Sequence, residues 1–114
     1  MSSPYEAVLL SLTRHRGVVA SMLVGETDGM IVDSNLQIGQ NGDRVAALAA
    51  SLYRKARLSS AAAGLGDVAF MQLEAERGRV CAAGRGDLVL IVVTAPTANV
   101  GLVRVEMLRA VEAL

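Results

Sequence analysis

The chain has no tryptophan, one cysteine, one histidine and two prolines in 114 residues. Each scarcity excludes something. A lone cysteine, Cys81, rules out an intrachain disulfide, and its place in a strand-like run reads as a buried, reduced thiol. A lone histidine, His15, rules out a paired-histidine metal site and leaves at most one candidate for a histidine-dependent triad. It stands between Arg14 and Arg16 near the expected end of the first helix, where its charge complements the helix dipole. Charge of one sign is also missing: 11 basic residues balance 11 acidic ones. Only Lys55 is a lysine, and Tyr5, Tyr53 and Phe70 lie outside any basic run. A sequence-independent nucleic-acid binder needs a positive footprint that this pattern lacks. The longest uncharged stretch, 88–103, is broken by Pro96 and polar residues, so no membrane span is expected. The first residues carry Glu6 and no basic cluster, so they do not read as a signal peptide, and a cytoplasmic setting is expected.

What is present is apolar. Hydrophobic residues make up 53% of the chain and charged residues 19%. A single domain over residues 1–114 with that much apolar surface is expected to hide some of it between copies. Ser3, Pro4 and Glu6 read as a capping box opening a helix with Val8, Leu9 and Leu12 as its apolar stripe, stopped by Gly17. Asp28-Gly29 between two apolar runs predicts a hairpin, with strands at about Val18–Gly25 and Met30–Ser34. A polar loop from Asn35 to Gly42 leads to Asp43 as a helix cap. The segment from Arg44 to about Ala63 is rich in helix formers and ends at Gly64 and Gly66. Its stripe of Val45, Leu48, Ala49, Leu52 and Ala56 is expected to be buried, with Ala46, Ala50, Tyr53 and Arg57 on a neighbouring stripe. Three strands follow, in 68–76, 79–84 and 88–95. The run Leu88–Val93 is apolar at every position, as in a central strand covered on both faces. Thr97 or Asn99 then caps a last helix, with Val100, Val103, Met107 and Val111 inward. Gly101 weakens that helix unless close packing on the sheet requires it. The order is αββαβββα: an α+β fold with one five-stranded antiparallel sheet and helices on both faces.

No catalytic constellation, cofactor motif or metal-ligand set emerges. Asp28 is a turn residue, and Glu74 and Glu76 read as solvated carboxylates rather than an acid–base pair. The glycines stand at turns and helix ends, and none opens a helix after a strand as a phosphate loop does. An enzyme is therefore not expected. Arg54, Lys55 and Arg57 form a local basic cluster beside Tyr53, either as cations near a helix end or as the rim of a protein interface. Small residues at Ala46 and Ala50 suggest close helix–helix contact between two copies, so an acidic residue at either position is expected to split a dimer.

The segments "GVVASMLVGETDGMIVDSN", "RVAALAASLYRKA" and "DLVLIVVTAPTANVGLVRVEMLRAVEAL" resemble the prokaryotic Roadblock proteins, relatives of a dynein light chain. The likeness runs from Tyr5 to Leu114. It implies a fold similar to longin and profilin-like domains, and a homodimer or heterodimer in which two sheets join edge to edge and the middle helices lie side by side. Carried over, the dimer interface would comprise Ala46, Ala50, Tyr53 and Arg57 on the helix, and Phe70, Met71 and Leu73 on the joining strand at about Val68–Ala75. The resemblance also implies a Ras-like small GTPase as partner, with Arg44, Arg54 and Arg57 as candidate contacts and a role in polarity or motility, including GTPase activation. Alternatives of other classes are a structural or heterodimerising scaffold subunit, and a small-molecule sensor using space left by the small residues of "RVCAAG".

Overall fold

The structure, a computed structural model, describes residues 4–36 and 42–114. Elements follow in the order α1 (Glu6–Thr13), β1 (Val18–Gly25), β2 (Ile31–Leu36), α2 (Gly42–Ala62), β3 (Met71–Ala75), β4 (Gly78–Arg85), β5 (Leu88–Thr94) and α3 (Val100–Glu112). The five strands form one sheet in the order β2-β1-β5-β4-β3, with every neighbouring pair antiparallel. The expected α+β architecture and element order hold. The all-apolar strand β5 is the centre of the sheet, where both faces are covered.

Alternation along the strands separates two cores. On one face, Leu23, Cys81, Ala83, Leu90 and Val92 meet Leu9 and Leu12 of α1 and Val103 and Met107 of α3. On the other, Ala20, Met22, Val24, Ala82, Val89 and Ile91 meet α2. Val18 lies with the first group although Ala20 lies with the second, because a register shift falls between them where β1 pairs with β5.

Several boundaries differ from the sequence reading. Helix α1 ends at Thr13, so His15 lies beyond it. Thr13 Oγ1 turns back onto the carbonyl of Leu9 and onto the Asn35 side chain, a local bond that competes with helix continuation. The proposed cap Ser3 lies outside the described residues; Tyr5 holds the cap position without a side-chain bond. Strand β2 runs on to Leu36. The remainder of the expected polar loop, 37–41, lies outside the described residues. Helix α2 opens at Gly42, which places Asp43 inside the first turn, where its charge suits the dipole. Asn99 caps α3 as expected, its side chain accepting from the Leu102 N–H at 3.1 Å. Gly101 is exposed, and an added Cβ would meet only the Asn99 side chain at an ordinary 3.5 Å. Close packing on the sheet therefore does not account for it.

Candidate functional site

Helix α2 is where the structure departs most from the sequence reading. Its buried residues are Gly42, Ala46, Ala49, Ala50 and Tyr53. Ala46, Ala50 and Tyr53 are 0%, 1% and 2% exposed within a single copy. They pack on the chain's own sheet, so they are core and not a surface for a second copy. Leu48 and Leu52, expected inside, are 61% and 40% exposed, and Leu58 is 62% exposed. The helix thus turns alanines in and leucines out. The inner face is small except at Tyr53, and Gly84 makes room for that ring: a Cβ there would sit 2.8 Å from it.

Tyr53 is the one large side chain on the inner face, and its polar end is fully used. Its hydroxyl accepts from the Gly84 N–H at 2.9 Å and donates to the Val68 carbonyl at 3.1 Å. Burial pushes its pKa above the ordinary phenol value, partly offset by the Gly84 bond. One turn further on, the Arg57 guanidinium pairs with Glu26 at the end of β1 and with Asp67 at 3.2 Å. These carboxylates hold the guanidinium in its charged form, Glu26 contributing most. Tyr53 and Arg57 together fix the connector between α2 and β3 at Asp67 and Val68.

The two flanks of α2 have different neighbours. Ala47, Ala50, Ser51 and Arg54 border a polar notch with Glu26–Gly29 of the β1–β2 turn. Gly29 has φ +68°, and a Cβ there would come within 3.2 Å of Ala47 Cα, so the Asp-Gly turn is required by both backbone shape and helix contact. Helical periodicity turns Val45, Leu48, Leu52 and Ala56 to the opposite flank. There the sheet is incompletely covered. Val80 and Val93 are only half-buried, and with Val19 and Ala75 they line an open depression of about 370 Å³. Leu73 on β3 pairs with Val80 and is 45% exposed. The exposed leucines therefore belong to the helix on the same side of the sheet as this half-covered stretch and the Leu73 side chain at the open edge of β3.

The remaining expected site residues fall as follows. Phe70 is half-buried against the α1/α3 core, with the Arg104 guanidinium 5.5 Å from its ring centre, so it serves α3 contact within the chain. Met71 is half-buried at the margin of the α2 core. Arg44 and Arg54 are exposed on α2, whereas Arg57 is committed to its two carboxylates. Arg54 and its neighbour Lys55 carry no ion pair among the described residues. The small residues Cys81, Ala82 and Ala83 are fully buried and divide between the two cores. Burial raises the Cys81 thiol pKa. Among the described residues no cluster of three or more His, Cys, Asp or Glu could hold a metal ion, and no helix is long and apolar enough to cross a membrane.

The Roadblock/LC7 domain family model matches residues 4–95. The chain belongs to the Roadblock/LC7 family. Two relatives of this Roadblock chain come from Methanocaldococcus jannaschii. The uncharacterized protein MJ1340 is 33% identical over 107 residues, covering 94% of this chain and 93% of its own length. The uncharacterized protein MJ0714 is 33% identical over 112 residues, covering 98% and 94%. Among solved structures, a Roadblock/LC7 domain from Streptomyces avermitilis superposes with a TM-score of 0.86 at 21% identity, covering 97% of this chain and 94% of the other. The gliding protein MglB from Thermus thermophilus gives 0.84 at 23% identity, covering 100% and 90%. These structural likenesses concern the Roadblock fold.

Proposed function

We propose that this Roadblock chain is a non-enzymatic regulatory module that works as a homodimer and binds a Ras-like small GTPase. The observation that carries the dimer is the exposed apolar surface on one side of the sheet: Leu48 and Leu52 on α2, the half-covered sheet at Val80 and Val93, and Leu73 beside the open edge. A small chain exposing such a surface gains by covering it, and a symmetric pair covers it twice. A similar fold bears the description MglB with tetrameric arrangement, which agrees with self-association in this fold.

The GTPase partner rests on family resemblance and on the charge of α2. Arg57 is withdrawn from the partner surface by Glu26 and Asp67. Contacts then fall to Arg54 and Lys55, with Arg44 at the helix start. Such cations suit an acidic partner surface and would speed encounter more than they deepen affinity. The module would position the GTPase's own catalytic groups or localise it, without supplying a catalytic residue.

The test is titration calorimetry of the purified dimer against small GTPases from the same source, loaded with GDP or a GTP analogue, together with hydrolysis rates. Binding to one nucleotide state, weakened in Arg54→Ala/Lys55→Ala, is expected. Absence of binding in both states contradicts the partner. A second reading, pairing with a different Roadblock chain, draws on three relatives of 32–33% identity in one organism. A stable homodimer that does not exchange with a co-expressed relative argues against it.

A further inference from the structure

We propose that Leu65 is a preformed anchor that enters an apolar pocket rimmed by carboxylates on the GTPase; this rests on the GTPase reading above and names a contact within it. Helix α2 closes in a tight turn. Gly64 has φ +74°, its N–H donates to the Ala61 carbonyl at 3.1 Å, and the Leu65 N–H reaches back to the Ser60 carbonyl at 2.9 Å. This pair of bonds is the Schellman arrangement, in which an apolar residue at the place of Leu65 commonly rests on the last turn of its own helix. Here the two positions it would rest on are Ser59 and Ser60. The Ser60 hydroxyl instead donates to the Gly66 carbonyl at 2.7 Å. Leu65 is left 79% exposed, the most exposed large apolar side chain among the described residues.

An exposed leucine on a loose loop would call for no account, but this connector is fixed. Gly64 and Leu65 bond to α2 through their N–H groups, and Gly66 through its carbonyl. The Asp67 carboxylate accepts from Arg57 at 3.2 Å, and the Val68 carbonyl accepts from the Tyr53 hydroxyl at 3.1 Å. Every residue from Gly64 to Val68 is therefore tied to the helix by a hydrogen bond. A side chain presented in this way has already lost much of the freedom that binding would remove, so its burial counts more fully toward affinity.

The surroundings define the partner's chemistry. Leu58, also exposed, follows Arg54 and Lys55 by one helical turn. By helical periodicity it lies on the Arg54 flank, away from the Leu48 and Leu52 flank assigned above to a second copy. From Arg44 to Ala62 the helix carries no acidic residue. The carboxylates of Glu26 and Asp67 are engaged by Arg57, whereas Arg54 and Lys55 have no ion pair among the described residues. The end of α2 is thus apolar with unbalanced positive charge, and its complement is an apolar pocket edged by carboxylates. An anionic membrane would meet the same charge. Even a whole acyl chain gives only marginal membrane binding by itself, however, and a rigidly held leucine gains most against a pocket of fixed shape.

The anchor is tested by titration calorimetry of the parent, Leu65→Ser and Leu65→Met against small GTPases from the same source in both nucleotide states. Thermal melts, sedimentation and binding to phosphatidylserine vesicles accompany each protein. Leu65→Ser is expected to weaken GTPase binding by roughly ten-fold or more. Leu65→Met keeps an apolar side chain of similar size and is expected to stay within roughly three-fold of the parent. Melting temperature and mass should not move, because the side chain stands in solvent, and none of the proteins should bind the vesicles. A parent that binds a GTPase while Leu65→Ser binds it equally well overturns the anchor and leaves the GTPase reading standing. A lower mass for Leu65→Ser overturns it in favour of a second copy as the occupant, and vesicle binding that depends on Leu65 overturns it in favour of a membrane. A parent that binds no GTPase in either state removes both the anchor and the reading it rests on.

Discussion

The inner and outer faces of α2 show opposite uses of side-chain size. Inside, three alanines and one tyrosine lie against the sheet, each 2% exposed or less. Outside, Leu48, Leu52 and Leu58 stand 40–62% exposed. A helix serving only its own core would place the leucines inward, because burying each contributes about 1.5–3 kcal/mol. This helix forgoes that gain. The alanines let it sit close to the sheet, and the leucines are left exposed to solvent in the single chain. Small residues here mark contact within one copy, and Leu48 and Leu52 are those the proposed reading assigns to a second copy.

The contrast is broken most severely from the inside. Ala50→Glu would bury a carboxylate with no partner beneath α2 and should cost about 4 kcal/mol or more. Urea denaturation should show a protein that no longer folds cooperatively, rather than a folded monomer. Loss of dimer with the fold intact would mean that Ala50 faces a partner after all.

Tyr53→Phe comes next. It removes the acceptor for the Gly84 N–H and the donor to Val68, at an expected cost of about 1–3 kcal/mol in the same assay. The Tyr53 hydroxyl and the Cys81 thiol also make stability depend on pH. Both pKa values are raised in the folded state, so both groups hold their protons more tightly folded than unfolded. Their contribution is complete below the unfolded values and is lost as pH rises through about 9–10 and beyond. Melting temperature should fall over that range, and less steeply in Tyr53→Phe/Cys81→Ala.

Arg57→Gln tests the connector that leads to β3. The pair with Glu26 is partly exposed on the arginine side, with side-chain exposures of 38% and 11%. Solvent screening therefore limits the expected cost to about 1 kcal/mol or less. Hydrogen exchange at Asp67 and Val68 should quicken more than exchange in β5. Gly101→Ala has the opposite sign. The site is exposed and helical with room for a methyl group, so a gain of about 0.5–1 kcal/mol is expected in thermal melts.

The sequence carried the strands well because alternation and turn chemistry are local. Val18–Gly25 is bounded as expected, and Leu88–Val93 falls in the central strand because a run apolar at every position tolerates no wet face. The helix faces were not legible in the same way. Leu48 and Leu52 look like core by hydrophobicity alone, and Ala46 and Ala50 look like a surface seam. What decides between them is which side of the helix meets the sheet, where Ala82 shares the core and Gly84 makes room for Tyr53 in a strand about thirty residues away. Glu26 and Asp67 were equally hidden: each lies in a different connection, and only the fold brings them to Arg57. The basic cluster was visible in sequence, but its division into a committed Arg57 and exposed Arg54 and Lys55 was not.

The outer face is probed most directly by sedimentation velocity on Leu48→Asp/Leu52→Asp, run beside the parent chain with thermal melts of both. The parent should sediment at twice its 11.9 kDa chain mass. The variant should sediment as a single folded chain, with spectra and intrinsic stability close to those of the parent once the loss of the partner is allowed for. A parent that sediments as a single chain at tens of micromolar, or a variant that keeps the parent's mass, would contradict the assignment of these leucines to a second copy.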